Sequence, residues 1–128
     1  MTLRLASLTF TVLAAAPGLA GPQQAPSIAV APDQFDFGSV RHQSTLSKQF
    51  RIRNFGSGSL RIERISASCG CSAWQLEEGD IAPGQGSDLR VSLDTRDDVG
   101  RVERTVLIES NDPERPKLLI RLYATIVE

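Results

Sequence analysis

The sequence carries two cysteines, Cys69 and Cys71, and only Gly70 separates them in the stretch SASCGCSAW. In a fully extended strand the Cα atoms of residues i and i+2 lie about 6.5–7 Å apart, at the limit for a disulfide. A turn at Gly70 would shorten that distance, and glycine is the residue that permits such a turn. A bridge that closes so small a loop gains only about 1.6 kcal/mol from chain entropy, so it would be a weak staple.

The pair has four possible roles on the sequence alone: a local structural disulfide, a redox-active bridge, a site for a soft metal, and an intermolecular bridge. Strain in a C-x-C bridge would ease its reduction, as in labile or redox-active disulfides. Two thiolates suit Cu(I), whereas Zn(II) takes four ligands. Because the chain offers two cysteines and one histidine, His42, a zinc site would need a dimer.

The other polar residues predict no catalytic machinery. His42 lies in VRHQST, a predicted connection between strands, and no nucleophile motif accompanies it. Asp94, Asp97 and Asp98 in DTRDDVG lack the spacing of a calcium-binding loop and are typical of a turn. We therefore expect a protein that is not an enzyme and has no cofactor, with Cu(I) at the cysteine pair as the one candidate.

Alternation of apolar and polar residues predicts β-strands along most of the chain. In TLSKQFRIRN, residues 45–54, Leu46, Phe50 and Ile52 share a face, and Lys48 is the one polar residue on it. The phase of the alternation slips in the next strand, which predicts a β-bulge around residues 63–64. Residues 28–30 and 35–38 flank Pro32, which predicts a first strand interrupted at a sheet edge.

About seven such strands, separated by turns rich in Gly, Pro, Asn and Asp, predict an all-β fold, an Ig-like antiparallel β-sandwich. No convincing amphipathic helix appears. The disulfide that pins the two sheets of many Ig domains is excluded, because the only two cysteines are two residues apart.

The N-terminal residues predict export. Arg4 supplies the positive charge, residues 5–16 are apolar, and Gly18 and Ala20 are small residues at a cleavage site, as in a signal peptide over residues 1–20. The apolar run is shorter than the roughly 20 residues of a membrane-spanning helix. We expect a flexible tether over residues 21–32 and the sandwich domain over residues 33–128.

Export would place the cysteines in an oxidising compartment, so we expect a periplasmic or secreted protein. No basic stripe with interleaved aromatics is present, which argues against a nucleic-acid partner. No second apolar segment is long enough to span a membrane, so we expect no membrane span in the mature chain. The sequence leaves the oligomeric state and the identity of any partner open.

The last strand has apolar residues on its outward face, Leu119, Tyr123 and Val127, and Leu107 on the preceding strand faces the same way. A contiguous apolar row can mark a binding surface, so we predict a protein-partner surface here. The alternative is that these residues are buried by a loop or by the other sheet. A sandwich edge can also recruit a partner strand through its free backbone groups.

Four stretches together resemble one family: FDFGSV, FRIRNFGSGSLRIERISASCGCS, IAPGQGSDLRVSLDT and GRVERTVLIESND. They are similar to the bacterial domain-of-unknown-function 1573 family, an exported Ig-like module related in shape to PapD-like and major-sperm-protein sandwiches. The resemblance covers about residues 33–126, and SCGC is its most specific motif. The family usually has Thr after the second cysteine, whereas this chain has Ser72.

The resemblance implies the fold and export, and analogy with related sandwiches implies binding of other proteins. We therefore predict an exported, non-catalytic protein-binding or envelope-assembly module of the periplasm. The alternative is a thiol-redox or Cu(I)-handling protein that uses the Cys69-Gly70-Cys71 pair.

The signal-peptide pattern gives a direct test. We expect cleavage after Ala20, so that Gly21 becomes the first residue of the exported protein. N-terminal sequencing of the exported protein measures this. A mature product that retains residues 5–16 would contradict the prediction.

Overall fold

The structure is a computed structural model that describes residue 2 and residues 24–128. The predicted signal peptide therefore lies outside the described residues, except for Thr2. The described part contains nine strands and no helix, and so no helix suited to crossing a membrane. The strands are β1 (Ile28–Ala31), β2 (Gln34–Arg41), β3 (Thr45–Asn54), β4 (Leu60–Ala67), β5 (Ser72–Leu76), β6 (Asp80–Ile81), β7 (Gly86–Asp94), β8 (Gly100–Ser110) and β9 (Lys117–Val127).

The strands form two sheets, and the predicted all-β sandwich is confirmed. The four-stranded sheet has the order β1-β3-β7-β5, and the five-stranded sheet has the order β2-β9-β8-β4-β6. Every strand pair is antiparallel except β2 with β9, which run parallel. The expected single interrupted first strand is wrong, because the chain crosses between the sheets at Pro32 and Asp33 and forms β1 in one and β2 in the other.

The core lies between the sheets, where the alternating apolar residues of both inner faces meet. The bulge prediction is confirmed, because the pairing of β4 with β8 shifts between Ile62 and Arg64. Lys48 is half-buried on the inner face, and its Nζ lies 4.4 Å from the centroid of the Phe35 ring. A cation over an aromatic face accounts for this polar residue at a core position. The most deeply buried apolar side chains are Phe50, Ile52, Leu60, Leu89, Val91, Val106, Ile108, Ile120 and Leu122.

The sandwich begins at Ile28, within the segment expected to be a tether, and not at residue 33. Strand β1 pairs with β3 over its whole length, and Ile28 is only 2% exposed. The backbone N–H of Ile28 donates to Asp112 Oδ2 at 2.9 Å. The prediction failed at this point because two long-range polar contacts, made by Asn54 and Asp112, order a segment that is short and rich in small residues.

Asn54 is fully buried, and its side-chain amide makes four hydrogen bonds. Its Oδ1 accepts from the N–H groups of Ser27 and Gly56, at 3.1 and 3.0 Å. Its Nδ2 donates to the carbonyls of Gly58 and Ile81, at 2.7 and 2.9 Å. The amide thus joins the N-terminal segment, the turn after β3, and β6 of the other sheet, with its hydrogen-bonding capacity satisfied.

The turn after β3 contains two glycines because the N-terminal segment lies directly against it. A Cβ placed on Gly56 would clash with the carbonyl oxygen of Ala25, and one on Gly58 would lie 2.7 Å from that of Gln24. The N–H groups of Ser57 and Gly58 also donate to the Ala25 carbonyl, at 3.0 and 3.1 Å. Residues 24–27 are therefore packed and hydrogen-bonded to the domain.

Asp112 is the second buried polar anchor of this end. Its carboxylate accepts from the N–H groups of Ile28, Glu114 and Arg115, at 2.9, 2.8 and 3.1 Å. Burial raises the pKa of Asp112, but these three donors together outweigh burial, and the pKa lies below its ordinary value. The folded state therefore favours the ionised carboxylate.

We expect Asp112→Asn to lower the free energy of unfolding at pH 7 by about 1–3 kcal/mol, because the new NH₂ group cannot accept a backbone N–H. The folded-state pKa of Asp112 is depressed, so its contribution is present above the unfolded value of about 3.9 and is lost as pH falls through the folded value. The variant should therefore lose less stability on acidification. Urea unfolding at several pH values measures both effects.

The control for this measurement is Glu114→Gln, since the side chain of Glu114 is exposed. It should unfold like the wild type at every pH. An Asp112→Asn protein with wild-type stability and an unchanged pH profile would contradict the assigned role.

Candidate functional site

Cys69 and Cys71 are joined by a disulfide, with their Cα atoms 5.2 Å apart. This distance is shorter than in an extended strand, as predicted for a turn at Gly70. The local pairing is thus the one that the structure contains, and the described residues include no free cysteine. Redox activity stays a prediction, and so does Cu(I) binding, which would require the reduced pair because the metal binds thiolates.

The cysteine loop is also held by backbone hydrogen bonds that do not involve the bridge. The N–H of Asp94 donates to the Cys71 carbonyl at 2.9 Å. The N–H of Ser68 donates to the Thr105 carbonyl at 2.9 Å, and the N–H of Thr105 donates back to Ser68 Oγ at 3.0 Å. These bonds attach the loop to the end of β7 on one side and to β8 on the other.

The two sulfurs differ in their surroundings. Cys71 is 8% exposed and borders the core, whereas Cys69 is only half-buried. The backbone N–H of Cys71 donates to Cys69 Sγ, with N and S 3.1 Å apart. The guanidinium of Arg96 donates to the Gly70 carbonyl at 3.4 Å, which brings a positive charge to the loop. A reagent from solvent can therefore approach Cys69 more easily than Cys71.

Strand β5 follows the loop and forms one edge of the four-stranded sheet, and within residues 24–128 it pairs with β7 alone. The N–H of Asp94 bonds to the Cys71 carbonyl, and the N–H of Glu77 bonds to the Asp88 carbonyl. Hydrogen-bonded pairs alternate along an antiparallel ladder. The backbone N–H and C=O groups of Trp74 and Leu76 therefore point away from β7, toward the unpaired side.

Trp74 has its ring at this free edge. It lies opposite Val91 in the β5–β7 register, and Val91 is 1% exposed whereas Trp74 is 45% exposed. Both side chains are on the inner face, but only Val91 is covered by the second sheet. The sequence predicted the short strand around Trp74 and Leu76, yet it held no signal that this strand lies at an edge.

The outer face beside this edge contains two shallow depressions, with volumes of about 380 Å³ and 420 Å³. Gln75 and Arg90, which are opposite each other in the register, line both. Arg90 is exposed, and none of the ion pairs among residues 24–128 includes it. Glu77 and Asp88 line the larger depression together with Arg90. The edge therefore combines an aromatic ring, free backbone groups and an exposed arginine.

The four residues of the predicted partner surface, Leu107, Leu119, Tyr123 and Val127, do not form one continuous patch. Leu107 and Leu119 are opposite each other in the β8–β9 register, and Leu119 is 41% exposed. The exposed Arg121 lies between Leu119 and the half-buried Tyr123 along the same face of β9. Val127 is exposed at the end of that strand. The leucines form a pair, but no continuous apolar row connects them with Tyr123 and Val127.

Tyr123 belongs to a polar cluster on the outer face of the five-stranded sheet. The guanidinium of Arg101 lies 5.2 Å from its ring centroid and donates to the carboxylate of Asp36 at 2.8 Å. The hydrogen bond from Arg101 holds the pKa of Asp36 below its ordinary value. Because this ion pair is exposed, its effect on stability is small.

The remaining candidates take structural positions. His42 donates its backbone N–H to the Val127 carbonyl at 2.9 Å, just after β2. Asp94, Asp97 and Asp98 each accept a hydrogen bond, from the Arg96 N–H, Gln43 Nε2 and Arg104 Nη2. Within residues 24–128, no group of three or more His, Cys, Asp or Glu side chains is arranged to hold a metal ion.

The two stacked sheets define the class of the fold, a β-sandwich, and solved structures that include a PapD-like domain share this fold. The PapD-like domain 7 of human CEP192 matches with a TM-score of 0.64 and 11% identity over 93% of this chain and 97% of that domain. A protein of unknown function from Porphyromonas gingivalis W83 matches with a TM-score of 0.70 and 22% identity over 80% of this chain. The VesB protease of Vibrio cholerae matches with a TM-score of 0.63 and 11% identity over 79% of this chain.

The chain spans 47% of the P. gingivalis protein and 32% of the protease, so these two matches concern parts of longer chains. At such low identities the likeness shows the fold alone.

The chain belongs to the family described as "Protein of unknown function (DUF1573)", whose model matches residues 28–124. The resemblance drawn from the sequence is thereby confirmed. No curated protein matches the chain.

We expect the double change Cys69→Ser, Cys71→Ser to lower the free energy of unfolding by about 1–2 kcal/mol, because so small a loop gains little from closure. This corresponds to a fall in Tm of about 4–16 °C for a domain of this size. Thermal and urea unfolding measure it. A fall of more than about 4 kcal/mol in the free energy of unfolding, or failure to fold, would show that the disulfide contributes strongly to stability.

Proposed function

We propose that this protein is an exported, non-catalytic module of the periplasm or cell exterior that binds an extended segment of a partner protein along β5. The observation that carries the proposal is Trp74, an exposed aromatic ring on an edge strand that has a partner strand on one side only among the described residues. An extended peptide that joins a sheet edge gains affinity from main-chain hydrogen bonds and specificity from side-chain contacts.

Strand β5 lacks the features that ordinarily protect an edge strand from pairing with another chain. Natural proteins protect edge strands with charged residues, proline or bulges. The opposite edge of the same sheet, β1, is four residues long and is followed at once by Pro32. The sequence of β5, SAWQL, contains neither charge nor proline, and it pairs with β7 without a register shift. An edge of this kind is suited to receiving another strand.

The side chains at the edge specify the chemistry of the partner segment. Trp74 on the inner face favours an apolar residue beside it, since an aromatic ring gains most from covering its exposed surface. A strand added beside β5 would lie two inter-strand spacings, about 9.6 Å, from β7. On the outer face, Gln75 of β5 would then lie between that strand and Arg90 of β7. A carboxylate opposite Gln75 is within reach of the Arg90 guanidinium. The preferred segment therefore alternates apolar and acidic residues.

The compartment in this proposal is supported by two independent features. The predicted signal peptide over residues 1–20 implies export, although it lies outside the described residues. The disulfide between Cys69 and Cys71 is of the kind that forms and persists in oxidising compartments.

We expect Trp74→Ala to weaken binding of an apolar–acidic peptide by about 10- to 100-fold, as for an aromatic hot-spot residue. The probe is a linear peptide selected from a displayed library against the wild-type protein, and titration calorimetry gives the Kd. Hydrogen exchange should show that the peptide protects the backbone amides of Trp74 and Leu76, which point to the free side.

The matched control is Phe55→Ala. Phe55 is exposed and aromatic, and it follows β3, beside the opposite edge of the same sheet. This variant should bind the peptide as the wild type does. Protection of Leu119 and Tyr123 in place of the β5 amides would move the binding site to the predicted partner surface, and equal losses in both variants would contradict a β5 site.

A further inference from the structure

We infer that Cys69–Cys71 is a thiol–disulfide exchange centre that reacts with protein dithiols, and that Cys69 is the sulfur that forms the mixed disulfide. This inference goes beyond the proposed binding role and does not depend on it. It rests on the unequal access to the two sulfurs, on the donors around Cys69, and on the way in which the loop is held.

Access decides which sulfur exchanges. Cys71 is 8% exposed and Cys69 is half-buried, so an incoming thiolate has a more open path to Cys69 than to Cys71. Exchange requires attack along the line of the S–S bond by the incoming thiolate, and its rate depends on which sulfur can be reached. Gly70 is exposed and carries no side chain, so it does not cover Cys69 on the solvent side.

The surroundings of Cys69 favour its thiolate when the pair is reduced. The Cys71 N–H already donates to Cys69 Sγ at 3.1 Å, and a hydrogen bond to the charged form stabilises that form. The guanidinium of Arg96 lies against the Gly70 carbonyl and adds a positive charge. The Asp94 carboxylate, which accepts the backbone N–H of Arg96 at 2.9 Å, partly offsets this charge. The N–H of Cys71 is thus the main donor that favours the Cys69 thiolate. Cys69 is therefore also the nucleophile of the reduced pair.

The reaction balances with a dithiol as reductant. One thiolate of the dithiol attacks Cys69 Sγ, the Cys69–Cys71 bond breaks, and Cys71 leaves as a thiolate and takes a proton from solvent. The second thiolate of the dithiol then attacks the first sulfur of the same dithiol, which is bonded to Cys69 in the mixed disulfide, and Cys69 leaves as a thiolate. Two electrons pass to the protein, which becomes a dithiol, while the substrate becomes a disulfide. The reverse sequence begins with Cys69 attacking a substrate disulfide.

The loop keeps its attachments in both redox states. The hydrogen bonds of Asp94 to Cys71 and of Ser68 to Thr105 do not involve either sulfur. The bridge closes only a very small loop, so its opening releases little conformational freedom. Reduction therefore leaves the sandwich folded, as an exchange centre requires.

The decisive comparison uses two single variants of the exported protein. Cys71→Ser leaves Cys69 as a free thiol, and Cys69→Ser leaves Cys71. With dithiodipyridine, an uncharged disulfide, we expect the free Cys69 to react at least about ten times faster than the free Cys71, because exposure and thiolate character control reactivity. Equal rates, or a faster reaction of Cys71, would overturn the inference.

The wild-type protein provides the second measurement, which does not depend on either variant folding. Dithiothreitol in native buffer should reduce the pair, as shown by acid quenching, alkylation and intact mass, with the circular dichroism spectrum unchanged. Glutathione added to the oxidised protein should be trapped on Cys69 in peptide maps. A pair that stays oxidised until denaturant is added would show that the bridge is structural only, and an adduct on Cys71 would contradict Cys69 as the exchanging sulfur.

Discussion

The four hydrogen bonds of the Asn54 side chain are the interaction on which the rest of the structure depends. A buried amide that lacked its partners would cost several kcal/mol, of the order of 1–3 for each unsatisfied group, whereas here every donor and acceptor is used. The main chain of Asn54 adds two more bonds, with Gly84 and Gln85. One residue at the end of β3 thus joins the N-terminal segment, two turns and a strand of the opposite sheet, and Asp112 completes the attachment from the other side.

The hydrogen bonds that hold β1 at one edge of the four-stranded sheet contrast with the other edge, β5, where the candidate functional site lies. The four-stranded sheet has two edges, and polar anchors hold β1 against the body of the domain at one of them. At the other edge, β5 has only β7 beside it, and the cysteine loop leads into it. The aromatic ring of Trp74, the free backbone groups and the more accessible sulfur of Cys69 are therefore all on the side of the sandwich that the core leaves uncovered.

Local patterns predicted most of the strands, the bulge after Ile62, the turn at Gly70 and the polar position of Lys48, because each depends on neighbours along the chain. About seven strands were expected and nine are present in the part of the chain that the structure describes, since β1 and β2 looked like one interrupted strand and β6 has only two residues. The position of Trp74 at an edge depends on which strands pair, and short-range alternation does not contain that information. The long-range contacts of Asn54 and Asp112 are hidden from the sequence for the same reason, although Asn before Gly-rich sequence and Asp before Pro are typical of side chains that bond to nearby N–H groups.

The predicted row of apolar residues on β9 shows a different limit. Leu119 and Tyr123 do share a face, as alternation requires, but whether a face is continuous depends on the residue between them and on the adjoining strands. Arg121 lies between the two apolar side chains, and the guanidinium of Arg101 on β8 lies over the Tyr123 ring. A surface is a property of the whole sheet, so the partner surface stays a prediction.

The parallel pairing of β2 with β9 determines when the five-stranded sheet can form during folding. Among residues 24–128, β2 comes second in chain order and β9 ninth, and β2 pairs with β9 alone. A nascent chain that emerges N-terminus first therefore carries β2 unpaired until β9 is available, so the five-stranded sheet closes only after the strands between them have emerged. Contacts so distant in sequence slow folding, and an unpaired strand is open to association with other chains during that interval. The time from the first strands to the last is thus the period in which this protein would most need protection by a chaperone.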